Sequence, residues 1–173
     1  MTLPEMMFTL MVGSILGAAV LSFSLYAGKS FAALTNYVDL EQKSQNALDN
    51  MTREVRQVNR VLSFGTTTLR GQVITNTITF EDSDGQSLTY TFTGDVLVRT
   101  KAGVNRVVLT NCDYLTFQVF QRNPMAGAWD QWSTAVATNT KLISVSWVCS
   151  RNILGNRMNT ESVQTAKVVI RKE

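Results

Sequence analysis

A stretch without charged residues near the N-terminus, residues 6–28, constrains this chain more than any other feature. A helix rises about 1.5 Å per residue, so about 20 consecutive apolar residues are enough to cross the hydrocarbon core of a bilayer. Pro4 precedes the stretch and suits the first turn of a helix, where a missing N–H costs nothing. The sequence therefore predicts an N-terminal helix that lies in a membrane or inside a protein assembly.

Glu5 is the acidic residue that adjoins this apolar stretch. An unpaired carboxylate in lipid costs at least a few kcal/mol, so we expect a cationic partner. The α-amine of Met1 in the same helix fits loosely, whereas the amine of a neighbouring helix, staggered by about one turn, meets the carboxylate directly. Met1 and Glu5 are therefore the predicted subunit-assembly residues of a helix that associates with copies of itself.

Small residues inside the apolar stretch predict close helix packing. Gly13 and Gly17 form a small-xxx-small pair, which lets two helices approach closely, although a generic membrane helix carries the same pattern by chance. The residues predicted to pack in a core of helices are Leu3, Phe8, Leu10, Gly13, Leu16, Gly17, Val20 and Phe23.

The helix is predicted to continue as an amphipathic segment after Lys29. Apolar residues recur at spacings of three and four, or multiples of these, and no proline interrupts the pattern after Pro4. These residues are Leu34, Val38, Leu48, Met51, Val55, Val58 and Leu62. Residues 41–47 are polar on all sides, so we expect them to face solvent or neighbouring subunits. The helix is predicted over about residues 2–62, where Phe64 and Gly65 end it.

The second half of the chain changes to a period of two with many β-branched residues, which is typical of strands. Predicted strands cover residues 73–80, 87–92, 95–100, 105–110, 113–121, 141–149 and 163–171. The fold class is therefore α+β, a long N-terminal helix packed by its C-terminal half on an antiparallel β-sheet domain. The predicted divisions are 1–28 for the apolar helix, 29–63 for its amphipathic continuation and 64–173 for a β-rich head.

The first residues resemble the start of a mature type IV pilin. Met1-Thr2-Leu3-Pro4-Glu5 matches the family pattern F-T-L-x-E, with Met1 in the place of the usual phenylalanine. The resemblance implies a leader removed by a prepilin peptidase, N-methylation of the new N-terminus, and numbering from the mature residue. It also implies an assembly machinery that extracts the helix from the membrane. In this family the packed helix often unwinds partly, which we expect near residues 13–20.

The later strands resemble the larger minor pilins, including the J-type pseudopilins of type II secretion. The resemblance rests on the order of Val96-Leu97-Val98-Arg99, Leu115-x-Phe117 with Trp129 and Trp132, and Ile143-x-Val145-x-Trp147. It is firm over residues 1–62 and looser afterwards, because strand patterns are short and degenerate.

Two cysteines, Cys112 and Cys149, are either a reduced pair or one disulfide, and a membrane anchor favours the disulfide, outside the cytoplasm. The bridge would tie two interior strands, whereas the disulfide of the commonest major pilins encloses the C-terminal segment.

Without histidine the chain has no Ser-His or Cys-His pair, and it has no phosphate loop or metal-ligand cluster, so we expect no enzyme, cofactor or metal. Sixteen basic and thirteen acidic residues form no stripe that indicates specific nucleic-acid binding.

The expected function is a pilin that polymerises through its N-terminal helix into an extracellular filament. Its expected location is the inner membrane before assembly and the cell surface afterwards. Two alternatives stay open: a minor pseudopilin at the tip of a secretion pseudopilus, and a membrane-anchored envelope domain that binds a ligand without polymerising.

Overall fold

A computed structural model of the protein describes residues 2–121, 132–151 and 161–170. Its longest element is helix α1, Leu3–Gln57, which begins after the extended N-cap residue Thr2 and has proline in its first turn. The helix ends before Val58, whose backbone is extended at φ −74° and ψ 148°. The Asn59 N–H then donates to the Glu81 carbonyl at 2.8 Å, which turns the chain from helix into sheet.

Five strands form the first antiparallel sheet, in the order of the sequence. They are β1 Arg60–Leu69, β2 Gln72–Glu81, β3 Ser87–Thr93, β4 Val96–Lys101 and β5 Val104–Leu109. Ala102 and Gly103 alone connect β4 to β5, with φ values of 50° and 78°. Two successive positive φ angles are the signature of a type I′ turn, the tightest common hairpin connection.

The second antiparallel sheet has the strand order β7-β6-β8-β9 among the described residues. Its strands are β6 Cys112–Gln121, β7 Trp132–Ser133, β8 Thr140–Ser150 and β9 Glu161–Val169, with a 3-10 turn at Ala137–Asn139 before β8. The predicted α+β class is confirmed, and all seven predicted strands are present. This shape, one long apolar helix packed on antiparallel sheet, is consistent with the pilin-like fold that the resemblance implied.

The structure differs from the sequence prediction where the helix meets the sheet. The helix ends about one turn before residue 62, and the residues predicted to end it belong to β1, which pairs along its length with β2. Thr66, Thr67 and Thr68 are β-branched and lie opposite β2, so strand pairing prevails over the helical spacing of Val58 and Leu62. The two-residue strand β7 was also not predicted.

The core lies between the C-terminal half of α1 and the two sheets. Leu40, Ala47, Met51 and Val55 are the buried apolar residues of the helix, and they recur at helical spacing along one face. They join one continuous cluster with the inward residues of both sheets, among which Trp147 and Tyr90 are the largest. The helix packs chiefly on β9 and also contacts β5 and β8.

Candidate assembly helix

The N-terminal half of α1 is exposed along its whole length. No described residue before Leu40 is buried, and none of the most apolar 18-residue window of the helix is covered by the rest of the chain. This is the one helix in the described residues that is long and apolar enough to cross a membrane. All the residues predicted to pack in a core of helices lie on this half and are exposed: Leu3, Phe8, Leu10, Gly13, Leu16, Gly17, Val20 and Phe23.

Glu5 caps its own helix. The Thr2 backbone N–H donates to Glu5 Oε2 at 3.0 Å, and the Thr2 hydroxyl approaches the same oxygen at 3.4 Å. A threonine followed three residues later by a glutamate is the capping-box pattern, which the sequence reasoning missed although it can be read directly. Within one chain the carboxylate therefore already has a partner. Met1 lies outside the described residues, so the predicted contact between its amine and Glu5 stays a prediction.

Polar groups on the exposed half are satisfied within the helix. Thr9 Oγ1 donates to the Met6 carbonyl at 2.9 Å, and Ser22 Oγ donates to the Ala18 carbonyl at 2.8 Å. Such bonds let hydroxyl groups enter an apolar environment at little cost, because no donor is left unpaired. The surface is therefore suited to lipid or to apolar helices.

Both glycines of the predicted packing pair leave open space beside the helix. A methyl group added at Gly13 or Gly17 would contact nothing within 4 Å. Nothing in the part of the chain that the structure describes uses the close approach that these residues permit. The helix is continuous through residues 13–20 here, and the predicted unwinding, which concerns an assembled state, stays a prediction.

The C-terminal half of the helix is fixed to the head by polar contacts as well as by apolar packing. The indole N–H of Trp147 donates to Ser44 Oγ at 2.7 Å, and both residues are fully buried. The expectation that residues 41–47 face solvent or neighbouring subunits is therefore wrong for Ser44, and it is also wrong for Ala47, which is buried in the core. The period of the apolar residues would have placed position 44 inside, since it lies four residues after Leu40 and three before Ala47.

Glu54 makes the second attachment. Its Oε2 accepts hydrogen bonds from the Tyr90 hydroxyl at 2.5 Å and from Arg99 Nε at 2.7 Å. Burial first, and then the Glu54 carboxylate, raise the pKa of Tyr90, while the hydrogen bond to Glu54 raises the pKa of Arg99. The phenol and the guanidinium therefore keep their protons, and the helix is joined to β3 and β4 by charge-assisted bonds.

Asp39 and Glu41 attach the beginning of this C-terminal half of the helix to the head. Asp39 Oδ2 accepts from Arg151 at 2.5 Å and from Lys43 at 3.0 Å, and these hydrogen bonds, that of Lys43 first, lower the pKa of Asp39. Glu41 accepts from Ser162 at 2.5 Å and from Gln164 at 2.7 Å, and the Ser162 bond is the main cause that lowers its pKa. The partners of these carboxylates on β9 and after β8 are more than a hundred residues away, so the helical pattern does not predict these contacts.

Cys112 and Cys149 are direct cross-strand neighbours on β6 and β8, and both are buried. The Ser150 N–H donates to the Asn111 carbonyl at 3.0 Å, which makes the cysteines a non-hydrogen-bonded pair, the kind in which opposite side chains are closest. The predicted pair is thus brought together, but the two residues are thiols in this structure and the predicted bond is not formed. The hydrogen bond with Cys112 and burial raise the pKa of Cys149.

Two tryptophans, Trp129 and Trp132, belong to the sequence pattern that resembles the larger minor pilins. Trp132 lies on β7 and is about half exposed, at 46%. Trp129 lies outside the described residues.

Comparisons with known proteins give no match: neither a model of a protein family nor a curated protein matches this chain.

Proposed function

We propose that this chain is a structural subunit that polymerises through the N-terminal half of α1 into a helical filament of the type IV pilus kind. The observation that supports this most directly is the apolar half-helix, which its own chain leaves uncovered. In water such a surface is unstable, since each square ångström of apolar area exposed costs about 25 cal/mol. Lipid covers it before assembly, and equivalent helices of other copies cover it in the filament.

Glu5 gives the assembly its register. In the single chain its carboxylate caps the Thr2 N–H through Oε2. When helices pack side by side, the carboxylate also meets the N-terminal amine of a neighbour, and this ion pair is strong because lipid or packed helices exclude water from it. A neighbour out of register would leave a buried charge unpaired, at a cost of several kcal/mol.

The head travels with the helix as one body. Ser44, Glu54 and Glu41 join the C-terminal half of α1 to four different strands of the head, and a continuous core supports these contacts. Movement of the helix from membrane to filament therefore carries the head outward without unfolding it. In this proposal the subunit starts in the inner membrane and ends on the cell surface, with a prepilin peptidase and an assembly machinery as partners.

The test compares Glu5→Gln with Glu5→Ala in cells that produce the full chain. Glutamine keeps the capping geometry but has no charge, whereas alanine loses both. We expect both variants to abolish filaments recovered by shearing, while the head stays folded. Asp49→Asn, an exposed change on the same helix without a described ion pair, is the control and should assemble normally.

Three outcomes separate the alternatives. Normal filaments from Glu5→Gln would show that the residue acts only as a cap and would contradict the register role. A wild-type chain that stays in the membrane without any filament would favour the anchored binding domain. Incorporation restricted to filament ends, seen by immunogold labelling, would favour the minor tip subunit.

A further inference from the structure

A groove of about 770 Å³ lies between the C-terminal half of α1 and the edge strand β5. Its volume falls within the range of pockets that take ligands. Its charged lining is one-sided: five cations, namely Lys43, Arg53, Arg99, Arg106 and Arg151, surround one carboxylate, that of Glu54. The groove plays no part in the assembly proposed above.

Two of these cations have no carboxylate partner among the described residues. Arg99 is paired with Glu54, and Lys43 and Arg151 are paired with Asp39, but no ion pair involves Arg53 or Arg106. Arg106 also lies directly opposite Arg99 across the β4–β5 ladder, and like charges in that position destabilise a sheet. An anion in the groove would relieve this repulsion.

The groove also offers unpaired backbone. Among the described residues, strand β5 pairs with β4 on one side and with no strand on the other. The type I′ turn makes Lys101 and Val104 a hydrogen-bonded pair, and hydrogen bonding alternates along an antiparallel ladder. The backbone N–H and C=O groups of Asn105 and Val107 therefore point away from β4. Such an edge is a template for an added strand.

We propose that this groove binds an extended acidic peptide segment of a different protein, added as a strand beside β5 with its carboxylates on Arg53 and Arg106. Main-chain hydrogen bonds to the β5 edge supply affinity, and the two arginines supply selectivity for acidic side chains at alternate positions. Single-stranded nucleic acid fits less well, because the one aromatic residue of the lining, Tyr90, is buried and cannot stack on a base.

A second copy of this chain does not supply such a segment. Acidic residues two positions apart occur in the sequence only at Asp39 and Glu41 and at Asp82 and Asp84. The first pair lies within α1, and the second lies in the turn between β2 and β3. Neither is an extended strand, so the occupant is another protein.

The experiment measures binding of a fluorescent hexapeptide of alternating glutamate and valine to the full-length chain in neutral detergent micelles, by anisotropy. We expect saturable binding that weakens with salt, and at least about tenfold weaker binding of the matching glutamine–valine peptide, since each pair of charges contributes on the order of a tenfold change. The double variant R53E/R106E should weaken binding by a similar factor. Lys167→Glu, a single charge reversal on the exposed face of β9, is the control and should leave binding unchanged.

A second variant tests the strand edge independently of charge. Val107→Pro removes an outward N–H without removing a ladder bond to β4, so the fold should persist and binding should fall several-fold. Unchanged binding by R53E/R106E, an equal loss from Lys167→Glu, or tighter binding of a thymidine oligonucleotide at the same residues would overturn the proposal. None of these outcomes depends on filament formation, so this proposal and the proposed assembly succeed or fail separately.

Discussion

The two halves of α1 are one continuous helix with opposite surroundings. Met11 in the N-terminal half is 63% exposed, whereas Met51 in the C-terminal half is 2% exposed and packs in the core. The N-terminal half is apolar on all sides, whereas the C-terminal half is apolar on one face only. The difference is that the head covers one half and leaves the other exposed, and the predictions below test how separate the two halves are.

Oxidation of the cysteine pair should stabilise the half that the head covers and leave the other half unchanged. If Cys112 and Cys149 form a disulfide, the chain-entropy model gives about 4 kcal/mol of added unfolding free energy for a loop of this length. Denaturant unfolding of the full chain in micelles, with and without reductant, measures this difference. The double variant C112A/C149A is the control and should not respond to reductant. Failure of the two thiols to react under mild oxidation, or an unfolding free energy that oxidation leaves unchanged, would contradict this prediction.

A matched pair of methionine substitutions tests the comparison most directly. Met51→Ala should lower the unfolding free energy of the head by about 3 kcal/mol, because it leaves a cavity in a packed core. Met11→Ala removes the same atoms from an exposed surface and should change it by less than about 0.5 kcal/mol. Both values come from denaturant unfolding followed by near-ultraviolet circular dichroism. Equal losses from the two substitutions would mean that the halves are not independent.

Acid should destabilise the head through Asp82, a buried carboxylate in the turn after β2. Its hydrogen bond from Lys101 is the largest cause that lowers the pKa of Asp82 below the usual 3.8. Since the folded state holds this proton less tightly than the unfolded state, the stabilisation is present above about pH 4 and is lost as the pH falls through the lowered value.

The variant Asp82→Asn isolates that contribution. It should lower the unfolding free energy at pH 7 by about 1 kcal/mol and flatten the dependence of this free energy on pH below about pH 4. Unfolding curves at a series of pH values measure both effects. Asp84→Asn, at an exposed position two residues later, is the control, and an equal flattening there would contradict the assignment to Asp82.

Much of the fold followed from local patterns. The uncharged stretch and the spacing of apolar residues predicted the helix to within about one turn at its end, and alternation predicted seven strands. The sequence also contained the capping box of Thr2 and Glu5, which was overlooked because Glu5 was considered only as a buried charge. These features could be predicted because they depend on neighbours within a few residues.

The sequence by itself determined that this chain has an apolar helix, an amphipathic continuation and a β-rich second half. Only the tertiary structure decided where the helix ends, because β1 gains its stability from pairing with β2 and not from its own residues. Only the tertiary structure placed Ser44 under Trp147, set Cys112 beside Cys149 and left Arg106 facing a groove. Each of these depends on partners distant in sequence, and the period of a helix or strand carries no information about which distant surface will cover it.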